Sequence, residues 1–137
     1  MPLDFSRLHI LLIDDNDFMR HLYRQILEAI GFRGPLIKEA ADGSEALRLL
    51  GEVPIDIAIC DLNMKPMHGK QFTHLVRTHD KSPDPYLPII VCTGHAEMVH
   101  IADARDAGAT EILRKPVSAG SLYAGSGPSS KGRAPSS

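Results

Sequence analysis

Three carboxylates, a hydroxyl and an ammonium recur in this 137-residue chain at one kind of place, the carboxyl end of an apolar run. Asp14 and Asp15 follow Leu8-His9-Ile10-Leu11-Leu12-Ile13, and Asp61 follows Ile55-Asp56-Ile57-Ala58-Ile59-Cys60. Thr93 follows Leu87-Pro88-Ile89-Ile90-Val91-Cys92, and Lys115 with Pro116 follows Thr110-Glu111-Ile112-Leu113-Arg114. Such runs read as buried parallel strands, so the polar residues are expected to meet at one edge of one sheet. In open α/β sheets that edge is where ligands bind. Two unit charges ~4 Å apart repel by about 4 kcal/mol at an effective dielectric near 20, and a hard cation relieves that. Magnesium suits the set, because it takes oxygen ligands octahedrally and keeps waters beside one or two carboxylates and a phosphate oxygen. A carboxylate can also attack phosphorus to form an aspartyl phosphate. The charge on the transferred oxygens then needs positioned donors, which Lys115 and Thr93 can supply.

These groups act together only if the fold brings the runs side by side. Strand and helix signals alternate five times, which predicts a doubly wound parallel sheet with helices on both faces. Asn16 or Asp17 can cap a first helix whose apolar residues Phe18, Leu22, Ile26, Leu27 and Ile30 recur at helical spacing, and Gly31 ends it. A second strand is expected over Leu36 to Ala40, and a second helix from Asp42 to about Gly51, with Ser44 as a possible cap. A third helix runs through Phe72, Leu75 and Val76, and a fourth from His95 to Ala107, ended by Gly108. The fifth is expected to start near Ser118 and to be short or truncated, since Ala119-Gly120-Ser121 is poor helix material. One domain over residues 1–123 results. From Ala124 onward the composition cannot bury enough apolar surface to order itself, so 124–137 reads as a disordered tail, natural or appended for expression.

Composition excludes several roles. Fifteen basic against 17 acidic residues give a net charge of −2, with no electrostatic footprint for nucleic acid or an anionic membrane. No apolar stretch approaches the length of a bilayer span and the amino terminus is mixed, so a cytoplasmic protein is expected. Cys60 and Cys92 lie inside apolar strands and read as small buried hydrophobes. A redox pair beside the site is the alternative, though a reactive thiol wants an exposed, electropositive setting. Seven histidines are scattered without zinc-motif spacing, which argues against a histidine metal site.

Each site residue has a bland reading alone: an Asp pair after a strand caps a helix, Lys115 is a solvated loop lysine, Thr93 a β-branched strand residue. Their joint position is what speaks against those readings. The set and its order resemble the receiver domain of two-component response regulators from Arg7 to about Leu122. That resemblance implies a flavodoxin-like sheet of order 2-1-3-4-5. It implies Asp61 as phosphoacceptor, Asp15, Asp61 and the Asn63 backbone carbonyl as ligands of Mg²⁺ (or Mn²⁺), and Asp14 as a partner through water. Thr93 and Lys115 would then contact the phosphoryl group, Asn63 and His95 would tune its hydrolysis, and Lys115-Pro116 matches a cis peptide of the family. Ile112, three residues before the lysine, occupies the switch position where the family often has Tyr or Phe. Ile is branched and stiff, so an aromatic rotamer change is unavailable there. The loop after Asp61 departs slightly from the pattern, with Lys65 before Pro66, while Gly69 keeps its spacing.

The resemblance implies a phosphoacceptor signalling domain that assists its own phosphorylation and dephosphorylation, rather than an enzyme. Its partners would be a sensor histidine kinase or histidine phosphotransfer protein upstream and a target protein downstream, the chain itself being a monomer or weak dimer. Two alternatives stand beside it. Phosphatases and phosphotransferases of the haloacid dehalogenase type also form an aspartyl phosphate after a strand, but resemble Asp-x-Asp, and here Asn63 stands at the second position. A receiver-like binding module without phosphorylation is the other, and the presence of the full residue set argues against it.

Overall fold

The computed structural model describes residues 5–61, 69–79, 82, 84–93, 105–114 and 120, with Gly69, Thr93 and Arg114 described by backbone alone. Asn63, His95, Lys115, Pro116, the 124–137 tail and most of the expected fourth and fifth helices lie outside these residues. Five strands, β1 (Ile10–Ile13), β2 (Ile37–Ala40), β3 (Ile57–Asp61), β4 (Ile89–Thr93) and β5 (Glu111–Arg114), form one parallel sheet in the order β2-β1-β3-β4-β5. The inner strands β1, β3 and β4 are apolar and rich in Ile because both their faces are covered, as parallel crossovers require, whereas the edge strands β2 and β5 carry the charged residues Lys38, Glu39, Glu111 and Arg114.

Alternation along each strand sorts the core into two layers. Ile10, Leu12, Ile37, Ile57, Ile59, Ile90 and Cys92 pack with Tyr23 and Leu27 of helix α1 (Asp17–Ile30). Leu11, Ile13, Ala58, Cys60, Ile89 and Val91 pack on the opposite face with Ala46 and Leu50 of α2 (Gly43–Leu50) and Phe72 and Val76 of α3 (Gly69–Thr78). Each fully buried Leu, Ile or Phe contributes about 1.5–3 kcal/mol.

Local chemistry sets the helix starts. Asn16 caps α1, its side chain accepting from Met19 N at 3.1 Å. Asp42, not Ser44, caps α2, accepting from Glu45 N at 2.9 Å while the Glu45 carboxylate accepts from Ala41 N at 2.8 Å. The pair resembles a capping box in which Glu45 reaches one residue further back, to the N–H before the cap, and it leaves Ser44 inside the first turn. Phe18 and Leu22, which share helical spacing with the apolar face, point outward at 71% and 37% exposure. Met19, Tyr23, Ile26, Leu27 and Ile30 do the packing instead. A 3₁₀ turn over Gly34–Leu36 delays β2 by one residue relative to the expected strand.

At the far edge Gly108 has φ +109°, and a Cβ there would stand 2.8 Å from Arg77 Cγ, so both conformation and space demand glycine. Half-buried Arg77 donates to Gly108 O at 3.0 Å and Pro85 O at 3.2 Å, tying α3 to the turns before β4 and β5. Burial lowers its pKa, against the attraction of Asp84. That clamp seats β5 in register with β4.

Candidate functional site

Register decides which residues meet. Ile13 pairs with Cys60 across β1 and β3, so Asp14, one step on, comes level with Asp61. Asp61 in turn pairs with Cys92, and Thr93 with Arg114, the residue before Lys115. The carboxyl ends of four strands therefore form one edge carrying Asp14, Asp15 and Asp61, with Thr93 at the end of β4. Lys115, Asn63 and His95, expected at the same edge, lie outside the described residues.

The three aspartates form one cluster: one carboxylate oxygen from each lies within 4.8 Å of the others. Asp14 is 2% exposed and Asp61 7%, whereas Asp15 faces solvent. Asp14 is held through both of its backbone polar groups and by its side chain. Its N–H donates to Ala40 O at 3.1 Å, its carbonyl accepts from Arg20 Nη1 at 2.5 Å, and its Oδ1 accepts from Asn16 N at 2.9 Å. The bland reading of Asp14 is thus partly true, since it braces the turn into α1. The fit to a cation is chemical: hard oxygens only, two of them buried. Neighbouring or opposite ligands of a magnesium ion stand ~3–4 Å apart, so small side-chain rotations or one bridging water suffice.

Beneath the cluster, α1 contributes Tyr23, which is 3% exposed. Burial, then the Cys92 thiol and the charges of Asp14 and Asp61, raise its phenol far above its ordinary value, so it stays protonated. The apolar face expected for this helix from the sequence did not include it. Cys60 is likewise raised, by burial first and then by Cys92, Asp61 and Asp14. Cys60 lies on the α2/α3 face and Cys92 on the α1 face. Both thiols are buried and they lie on opposite sides of the sheet, so no redox pair forms.

Arg20 and Glu39 escaped the sequence reading altogether. Arg20 Nε donates to Glu39 Oε1 at 3.0 Å, Arg24 Nε donates to Glu39 Oε2 at 2.7 Å, and Arg20 Nη2 also pairs with Asp17. Burial alone would raise Glu39, but hydrogen bonds from Arg24 and Arg20 and their charges outweigh it and lower its pKa. No local signal marks the pair, because the partners are 19 residues apart. Ile112 pairs with Val91 and packs, partly buried, against the α2/α3 core layer.

Among the described residues, no helix is long and apolar enough to cross a membrane. Residues 10–125 match the family described as the response regulator receiver domain. Chemotaxis protein CheY-3 of Vibrio cholerae is 30% identical over 117 residues, 85% of this chain and 87% of its own length. The solved structure of Vibrio cholerae CheY4 superposes with a TM-score of 0.75 at 29% identity, covering 85% of this chain and 93% of that one. The receiver domain of a Pseudomonas aeruginosa sensor histidine kinase, solved with a magnesium ion in its active-site cleft, gives 0.74 at 25% identity, covering 85% and 92%.

Proposed function

The chain belongs to the response regulator receiver family, and from that premise we propose that Asp61 accepts a phosphoryl group from a phosphohistidine on a partner protein, with Mg²⁺ bound by the aspartate cluster. The observation that carries this reading is the convergence of Asp14, Asp15 and Asp61 within 4.8 Å at the carboxyl edge of the sheet. A carboxylate oxygen of Asp61 attacks phosphorus, forming the O–P bond as the N–P bond breaks. The electron pair of that bond remains on the imidazole nitrogen, and with a proton on its other ring nitrogen the donor histidine leaves as neutral imidazole. Asp15, Asp61 and the Asn63 carbonyl would hold the cation, Asp14 through water. When bound, the cation neutralises charge on the attacking carboxylate and on the transferred oxygens. The near-burial of Asp61 limits competing water, and its fixed place at the end of β3 leaves it little freedom to lose on attack. Thr93 and Lys115 would take the remaining phosphoryl oxygens as donors, Asn63 and His95 setting how fast water removes the group.

The output is a change of protein-interaction surface. Upstream, a sensor histidine kinase or a phosphotransfer protein would supply the phosphoryl group; the chemotaxis and sensor-kinase relatives support that class of pathway. Intact-mass measurement after incubation with acetyl phosphate and Mg²⁺ tests the reading. One labile phosphoryl adduct is expected, absent in Asp61→Asn and absent in EDTA. An adduct retained at the same site in the variant would refute the assignment, and a wild type that never labels would leave a binding module.

A further inference from the structure

We propose that Arg20, oriented by Glu39, is a positioning residue of the acidic site, fixing the peptide from which Asp14 and Asp15 present their carboxylates. The inference rests on the reading of Asp14, Asp15 and Asp61 as the cation site. The β1 ladder ends at Ile13, and Asp14 N–H makes one further bond to Ala40 O. The Asp14 carbonyl accepts from Arg20 Nη1, so a side chain stands where a strand donor would. That carbonyl belongs to the peptide whose nitrogen is Asp15's. Its plane therefore sets the direction in which the Asp15 side chain leaves the backbone.

The guanidinium is itself over-determined. Its three nitrogens reach Asp14 O, Glu39 Oε1 and Asp17 Oδ1, on the end of β1, on β2 and on α1. The Arg20 side chain is 15% exposed, and Glu39 is gripped from its other oxygen by Arg24, which also donates to Gly34 O at 3.0 Å and Ile37 O at 2.8 Å. Isolated surface ion pairs contribute little. Here several converge on one planar fork, which a lysine cannot imitate. Arg20 begins four residues after the α1 cap, its N–H donating to Asn16 O, so the same residue ties the helix start to the strand end.

Two effects oppose each other at this position. The positive charge of Arg20 weakens cation binding electrostatically, whereas its hold on the Asp14 carbonyl keeps the ligands in place. Arg20→Lys separates them, because it keeps the charge and loses the fork. Changes to groups that orient metal ligands typically lower metal affinity 10- to 100-fold. Arg20 acts through backbone rather than on a ligand atom, so we expect Mg²⁺ to bind Arg20→Lys about 3- to 10-fold more weakly. Phosphorylation at saturating Mg²⁺ should keep its wild-type rate. Glu39→Gln, a milder change, should weaken Mg²⁺ in the same direction by a smaller factor, and the two changes should be non-additive.

Magnesium titrations followed by amide NMR read this directly, with metal-free spectra as a second readout. In Arg20→Lys without metal, the Asp15 and Asn16 amides should shift and exchange faster. Wild-type Mg²⁺ affinity in Arg20→Lys and Glu39→Gln would overturn the proposal and leave Arg20 as a fold contact only, as would a lowered rate at saturation with affinity unchanged. Should wild type bind no Mg²⁺, the cation-site reading fails separately. The metal-free spectra then decide on Arg20 alone: unmoved Asp15 and Asn16 signals would overturn it, and moved ones sustain it.

Discussion

Asp14→Asn should make the metal-free protein more stable and the metal-saturated protein comparatively less so. In EDTA the three carboxylates repel across no more than 4.8 Å. At that separation each pair costs ~3.5 kcal/mol at an effective dielectric of 20, and ~0.9 kcal/mol at that of water. Asp14 and Asp61 are both buried and lie toward the first figure, whereas Asp15 is exposed and its pairs lie toward the second. The Arg20 guanidinium on the Asp14 carbonyl offsets part of this, and counter-ions screen more. A net gain of ~1–2 kcal/mol is expected for the neutral amide. Asparagine keeps an oxygen for the Asn16 N–H and can donate its NH₂ to a neighbouring carboxylate, so the turn into α1 survives. For a domain of this size that corresponds to a Tm about 3–6 °C higher. In excess Mg²⁺ the wild type gains stability by mass action and the variant gains less, so the difference should narrow or invert. Thermal unfolding by circular dichroism in EDTA and in Mg²⁺ measures both. A lower Tm for Asp14→Asn in EDTA would refute the reasoning and make Asp14 chiefly a structural brace.

Asp15→Ala should weaken Mg²⁺ binding more than Asp14→Ala, because the exposed residue is the one free to ligate; calorimetric titration of the two variants checks it, and wild-type affinity in Asp15→Ala would exclude the role. Thr93→Ala should still be phosphorylated on Asp61 but lose most of the chemical-shift change across residues 94–107 on adding beryllofluoride, since a conformational equilibrium moves only through differential contacts; unchanged shifts would place the coupling elsewhere. The lowered pKa of Glu39 contributes stability that is present above the unfolded glutamate value of ~4.3 and is lost as pH falls through its lower folded value. Glu39→Gln should therefore cost ~1 kcal/mol at pH 7 and progressively less in urea titrations run below pH 4; a pH-independent difference would refute the assignment.

The inner strands were readable because apolar runs covered on both faces carry their own signature, and turn residues such as Gly31 and Gly108 mark where helices must stop. The receiver resemblance was readable because its chemistry falls at strand ends, where position along the chain already implies position on an edge. Finer choices depended on competition between nearby groups. Ser44 and Asp42 are both good caps, and Asp42 wins because Glu45 can answer it with the Ala41 N–H. Phe18 and Leu22 share helical spacing with the core residues, yet the face of α1 that packs on the sheet carries Tyr23 and leaves them outward. Cys60 and Cys92 looked like neighbours beside the site, but a register offset of one residue sends them to opposite faces. The Arg20–Glu39–Arg24 network has no sequence signature at all. Its partners come together only because parallel crossover lays β2 beside β1 and packs α1 over both, and long-range contacts of that kind are set by topology rather than by local pattern.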